Sequence, residues 1–285
     1  MNQRLRLGSI EFINSLPVDL GILNGAIRKP DLEVIQGSPV FLNEKILRGE
    51  LDISPVSAFF YGQYQKKFLI LPDVSISSRS GVQSVLLFSR RPIEDLGAAV
   101  IAVTGKGQST PALLRILCKQ RYGFEPVFLP LEASPIKIPE CADAMLVIGD
   151  EALLASESPD LAGLFVTDLA EEWEDWTALP FVFAVWVVRR EVFESSPEPV
   201  LRVWQTLLQS KRWALAHSAE VMAEAFRKTK LDPRSLEKYF SRLSYGFEPD
   251  LAEGMKLYLD LASRQGLLPE KRPETFEMIQ KLTTV

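Results

Sequence analysis

Three times in this chain an apolar, strand-like stretch leads into a cluster of hydroxyl or amide residues with a proline, and a helical pattern follows. The segments are Ile13-Asn14-Ser15-Leu16-Pro17, Ser54-Pro55-Val56-Ser57 and Gln108-Ser109-Thr110-Pro111. Strand, polar turn, helix and strand again is the pattern of βαβ units, and it predicts a mainly parallel sheet covered by helices. In the first series we expect strands at 5–10, 32–36 and 51–54. Helices should begin at Pro17 and Pro55, where a missing N–H costs nothing, and a short helix over 43–49 should close at Gly49. A second series reads as strand 100–103, loop 104–108, helix 109–120, strands 126–129 and 144–148, and helix 150–155.

Between and beyond these series the character changes. Residues 69–71, 74–76 and 84–89 are strand-like, Arg90-Arg91-Pro92 breaks the run, and 181–189 is a long apolar strand. Residues 197–218, 219–229, 233–243 and 249–265 follow helical periodicity, with Trp204, Leu207, Leu208 and Leu215 on one candidate packed face. The expected architecture is therefore α/β and two-lobed. Residues 1–91 with 187–285 form one lobe and 92–186 the other, and the two chain crossings between them make a natural hinge.

Charge and rare residues narrow the function. The 285 residues carry 32 Lys and Arg against 37 Asp and Glu, a net charge of −5, which argues against a nucleic-acid partner. His217 is the only histidine, and Cys118 and Cys141 stand outside any CxxC spacing. No zinc site, Ser-His-Asp triad or other cofactor motif is expected, and the thiols read as buried and free. Apolar runs such as 181–188 are too short to span a bilayer, and the first ten residues lack an export-type apolar segment, so the expected compartment is the cytoplasm.

A small organic anion fits better. Helix starts expose unpaired N–H groups and the positive end of the peptide dipole, so the three segments can hold carboxylates if they share one cleft. Each serine, threonine or asparagine can equally cap its own helix. The stretch Thr104-Gly105-Lys106-Gly107-Gln108-Ser109-Thr110 lacks the spacing of a nucleotide-binding phosphate loop. Asp150, in Ile148-Gly149-Asp150, reads either as an N-cap or as a general base. The aromatic stretch 173–183, ending in Phe183, reads as a cleft wall or as packing between lobes. Ser84 reads as a ligand contact or a sheet-face serine.

In this order the segments resemble the chorismate dehydratase family of menaquinone biosynthesis, whose members open the futalosine route. The matching stretches are 10–17 (IEFINSLP), Leu42-Asn43, 49–57 (GELDISPVS), 71–89 (LPDVSISSRSGVQSVLLFS), 109–114, 148–153 (IGDEAL) and 176–186 (WTALPFVFAVW). The resemblance implies a fold similar to type II periplasmic binding proteins with a ligand cleft between lobes. It implies conversion of chorismate to 3-[(1-carboxyvinyl)oxy]benzoate and water. It also implies substrate contacts at Asn14, at Ser54, Val56 and Ser57, at Ser84, and at Ser109 and Thr110. Either the substrate's own enolpyruvyl carboxylate or Asp150 would take the proton, with Asn14 orienting the reacting end. The chain departs from the family pattern at Phe12, often tyrosine, and at Ala178, often glycine. Two rivals stand beside this reading. One is a dihydroxynaphthoate synthase of the same fold, which would call for a histidine base in the second lobe. The other is a non-catalytic small-anion binding protein.

Overall fold

The computed structural model describes residues 4–28, 32–104, 109–132, 137–269 and 275–279. The chain opens with β1 (Leu5–Ile10), α1 (Leu16–Leu23), β2 (Leu32–Gly37), α2 (Pro39–Leu47), β3 (Ile53–Ser57), α3 (Ala58–Tyr64) and β4 (Phe68–Ser78). Next come β5 (Val85–Ser89), β6 (Val100–Thr104), α4 (Ser109–Ile116), β7 (Val127–Leu131), β8 (Ala144–Ile148), α5 (Asp150–Ser156), β9 (Phe165–Asp168) and α6 (Leu169–Thr177). It finishes with β10 (Phe181–Arg189), α7 (Arg190–Ser195), α8 (Pro197–Ala216), α9 (Ser218–Thr229), α10 (Pro233–Arg242), β11 (Leu243–Ser244) and α11 (Pro249–Arg264).

The strands form two sheets, ordered β11-β4-β10-β3-β1-β2 and β7-β6-β8-β5-β9. Apart from β11, the two repeat one plan. Three parallel strands stand beside an antiparallel one, β10 in the first sheet and β5 in the second, and a further strand pairs on its far side. This repetition lies in strand order and leaves no obvious repeat in the sequence.

The sheets correct the expected lobe boundaries. β5 pairs with β8 and β9, so it belongs to the second sheet, while the whole of β10 pairs with β3 and β4 in the first. The chain therefore crosses between sheets at residues 79–84 and 178–180, not near Arg91 and Val187. The break at Arg90-Arg91-Pro92 is the end of a strand inside the second lobe. Each crossing holds a non-glycine residue in the left-handed region, Gln83 at φ 62° and Ala178 at φ 56°. The Gln83 N–H is held by the Asp168 carboxylate at 2.6 Å.

Two other elements differ from expectation. β3 extends to Ser57 instead of yielding to a helix at Pro55, because β10 pairs alongside it from Ile53 to Ser57. Its pairing with β1 is confined to Ile53, which leaves one side open farther along, and an open strand side tolerates a residue without N–H. The two short strands expected over 69–76 are one strand, β4, bent where Asp73 takes φ 61°. Thiols and helix faces also differ in part. Cys118 is buried but Cys141 is exposed, and both are free. Trp204 and Leu207 are buried on α8, whereas Leu215, near its C-terminal end, is exposed.

Sequence alternation decides what each strand faces. In β8, Ala144 and Leu146 join the large core while Met145 and Val147 join a smaller one on the other side, as expected for a strand covered on both faces. Asp52 ties the first sheet together just ahead of β3. It is almost fully buried and accepts from Arg6 N at 2.8 Å, Arg6 Nε at 3.0 Å and Arg189 at 3.2 Å. Burial pushes its pKa up, but the Arg6 hydrogen bonds and both guanidiniums outweigh this and hold it below the ordinary carboxylate value.

Candidate active site

The helix starts meet where the two sheets face each other. A cleft there, with about 820 Å³ of non-protein space including its solvent mouth, is lined from both lobes. The first sheet and its helices contribute Asn14, Asn43, Pro55, Ser57 and Phe183, and the second contributes Ser84, Ser109, Thr110 and Gly149. Apolar walls come from Ile10, Phe12, Ile76, Val82, Val85, Ile148 and Leu243. Among the described residues, no Asp, Glu, His, Lys, Arg, Cys or Tyr lines it.

Local structure explains each position. Pro55 and Ser57 alternate on β3 and face the cleft, so Ser54 and Val56 point to the opposite side of the sheet. The Ser54 hydroxyl lies against Gly8 of β1 and donates to the Pro55 carbonyl at 3.1 Å. The expected contacts at Ser54 and Val56 are therefore corrected: a hydroxyl motif read as a helix start is a strand, and strand alternation brings only every second residue to the cleft. Ser57 also caps α3, accepting from Phe60 N at 3.3 Å. Phe183 and Ala184 are neighbours in sequence yet both line the cleft, because the β10–β4 register shifts between Val182 and Ala184. Of the aromatic stretch, Trp173 is fully buried and packs with Phe181 and Tyr258, while Phe183 forms the wall.

Contacts across the cleft hold it shut. Phe59 N–H donates to Ser109 Oγ at 3.3 Å, the Tyr258 hydroxyl to the Ser109 carbonyl at 2.9 Å, and the Tyr239 hydroxyl to Ser84 Oγ at 3.3 Å. Asp150, expected as base or cap, does neither job in the anticipated way. It does not line the cleft, and its carboxylate accepts from Ile13 N–H in the opposite lobe at 3.2 and 3.3 Å. Burial pushes its pKa up to about 6, against the pull of that N–H and of Lys228.

Asn14 and Asn43 each bury a side-chain oxygen without a hydrogen-bond partner. Such orphan acceptors at a cavity wall await a ligand or water. Sequence reasoning missed Asn43 as a site residue. The available signal was a poorly helix-forming amide in the middle of an apolar helical stretch. Beneath the Asn14 turn, Asp19 is buried and accepts from the Ser9 hydroxyl at 2.8 Å. Burial pushes its pKa up to about 7. The expected loop residues 105–108 lie outside the described residues. His217 does not line the cleft and is stacked on Trp213 at the end of α8. Among the described residues no three His, Cys, Asp or Glu side chains gather as a metal-binding group, and no helix is long and apolar enough to cross a membrane.

A family profile described as menaquinone biosynthesis matches residues 5–264. The chain belongs to this family. Within the family's chemistry, it is 31% identical over 267 residues to a protein of Thermus thermophilus named chorismate dehydratase, covering 89% of this chain and 93% of that one. It is 25% identical to the same organism's 1,4-dihydroxy-6-naphtoate synthase, over 77% of this chain and 78% of that one. A solved protein of Archaeoglobus fulgidus has a TM-score of 0.74 at 21% identity, covering 93% of this chain and 98% of its own. The periplasmic aliphatic sulphonate binding protein of Escherichia coli has a TM-score of 0.66 at 14% identity, covering 94% of each chain. At those identities the likeness is one of fold, and the fold is the periplasmic-binding-protein-like one that the family resemblance implied.

Proposed function

We propose that this family member is a chorismate dehydratase, a carbon–oxygen lyase that converts chorismate to 3-[(1-carboxyvinyl)oxy]benzoate and water. One observation carries the reading: the cleft is largely apolar, its polar groups are uncharged hydroxyls and amides, and no ionisable side chain stands among its described lining residues. A substrate that carries its own base suits an elimination in such a cleft, and chorismate is one.

The substrate has two carboxylates, one on the ring and one on the enolpyruvyl group beside C3. The ring carboxylate is vinylogous to the C3 proton, so charge left by removing that proton spreads into it. Hydroxyls of Ser57, Ser84, Ser109 and Thr110 and the amides of Asn14 and Asn43 supply uncharged donors to stabilise the dienolate. The enolpyruvyl carboxylate accepts the proton, hydroxide leaves C4, and aromatisation drives the step. Asn14 orients the reacting end. Asp150, outside the cleft, is not the base on this reading. The working compartment is the cytoplasm, in keeping with the biosynthetic names of the relatives.

The test is to mix purified protein with chorismate and follow the rise of aromatic absorbance, with mass analysis for loss of one water. Tight binding without an aromatic product would favour an anion-binding protein instead. The naphthoate synthase reading is weaker, since the lower identity goes with a cleft that the only histidine does not reach.

A further inference from the structure

We propose that Asp150 is a positioning residue: carried by the second lobe, its carboxylate caps the Asn14 turn of the first lobe and fixes that turn when the lobes are shut. The proposal rests on reading the cleft as a dehydratase site.

The Asn14 turn has no cap of its own. Residues 13–15 form a tight helical turn leading into α1, and Phe12, at its cap position, has no side-chain acceptor. Ser15, at the start of α1, spends its hydroxyl on the Ile10 carbonyl at 2.7 Å and caps nothing. The unpaired donor of that helix start is Ile13 N–H, adjacent to Asn14, and Asp150 meets it with both carboxylate oxygens at 3.2 and 3.3 Å. A carboxylate at the positive end of a helix is the favourable charge there.

The same corner interlocks at a second point. Gly149 takes φ 68°, and a side chain there would meet the Phe12 ring at 3.3 Å. The β8–α5 corner thus presents a carboxylate and a bare backbone to one turn of the opposite lobe. Neither contact survives separation of the lobes, because Asp150 follows β8 of the second sheet and Ile13 follows β1 of the first. The charged groups that face Asp150 are Lys228 of α9, which also donates to the Glu11 carbonyl at 2.6 Å, together with Glu11 and Glu151. Substrate closure and the placing of Asn14 become one event: the lobe that brings Ser84, Ser109 and Thr110 also brings the cap that orders Asn14.

Amide hydrogen exchange at Ile13, measured on the full chain, reads the cap directly and needs no substrate. Asp150→Ala should speed that exchange by about tenfold or more, whereas Asp150→Asn, whose amide oxygen still accepts, should keep the protection. With chorismate, Asp150→Ala should lower kcat by about tenfold or more with little change in KM, and Asp150→Asn should stay within about fivefold of the parent. Unchanged exchange in Asp150→Ala overturns the proposal. So does an Asp150→Asn variant that keeps its protection but loses turnover as severely as Asp150→Ala, which would mark proton transfer. Should Asp150→Ala not fold, Asp150→Ser, too short to reach Ile13, makes the same comparison. If the parent protein does not turn over chorismate, the dehydratase reading falls alone and the exchange comparison still decides the cap.

Discussion

Asn14 and Asp19 belong to one turn and the helix after it, yet they answer to different physics. Asn14 lines the cleft, and its side-chain oxygen is buried without a hydrogen-bond partner. Asn14→Ala should lower kcat for chorismate by about 100-fold with a smaller effect on KM, because an orienting group acts mainly on the reacting geometry. Full activity in a steady-state assay would remove Asn14 from the mechanism. Asp19 is buried behind it, and its pKa stands at about 7 against an ordinary 3.8. The folded protein therefore holds a proton that the unfolded chain releases, so this residue's contribution to stability is full below about pH 3.8 and is lost as the pH rises towards 7. Asp19→Asn keeps an acceptor for Ser9 and removes the charge. It should raise the melting temperature at pH 8 more than at pH 5, and an equal shift at both pH values would contradict the assignment.

Elements are where local signals and pairing compete. Ala178 ends α6 in the left-handed region at φ 56°, with its N–H on the Glu174 carbonyl at 2.7 Å. That position suits glycine. Ala178→Gly should stabilise the fold by about 0.5–1 kcal/mol, relief of the side-chain penalty outweighing the added freedom of the unfolded chain. A lower denaturant midpoint would show that the turn is not strained. The bulge at Phe183 makes the complementary point. A nine-residue apolar strand predicts its own existence but not which residue is left unpaired, since the bulge arises from how β10 meets β4.

For the whole molecule, the two crossings and the interlobe hydrogen bonds of Ile13, Phe59, Ser84 and Ser109 describe a shut geometry. A ligand that bridges both lobes stabilises that geometry by mass action. The product 3-[(1-carboxyvinyl)oxy]benzoate at 100 times its Kd should add about 2.7 kcal/mol, a melting shift of several degrees. Small-angle scattering should show the compact form gaining population over the same titration. A thermal shift absent at saturating product would contradict binding in the cleft.

What could be read along the chain was whatever depends on neighbours in sequence. That covers the α/β class, the limits of β8 and β10, the four C-terminal helices to within a few residues, and the polar turns that bring Asn14, Ser57, Ser84, Ser109 and Thr110 to one cleft. Helical and strand periodicity, proline and glycine are local, so they speak before the fold exists. Tertiary structure decided the rest. It set which sheet holds β5 and β10, turned Ser54 and Val56 away from the cleft, brought Asn43 into it, and gave the Asp150 carboxylate to a backbone N–H of the opposite lobe. Each of these depends on a partner far away in the chain, and no local pattern of residues encodes the identity of such a partner.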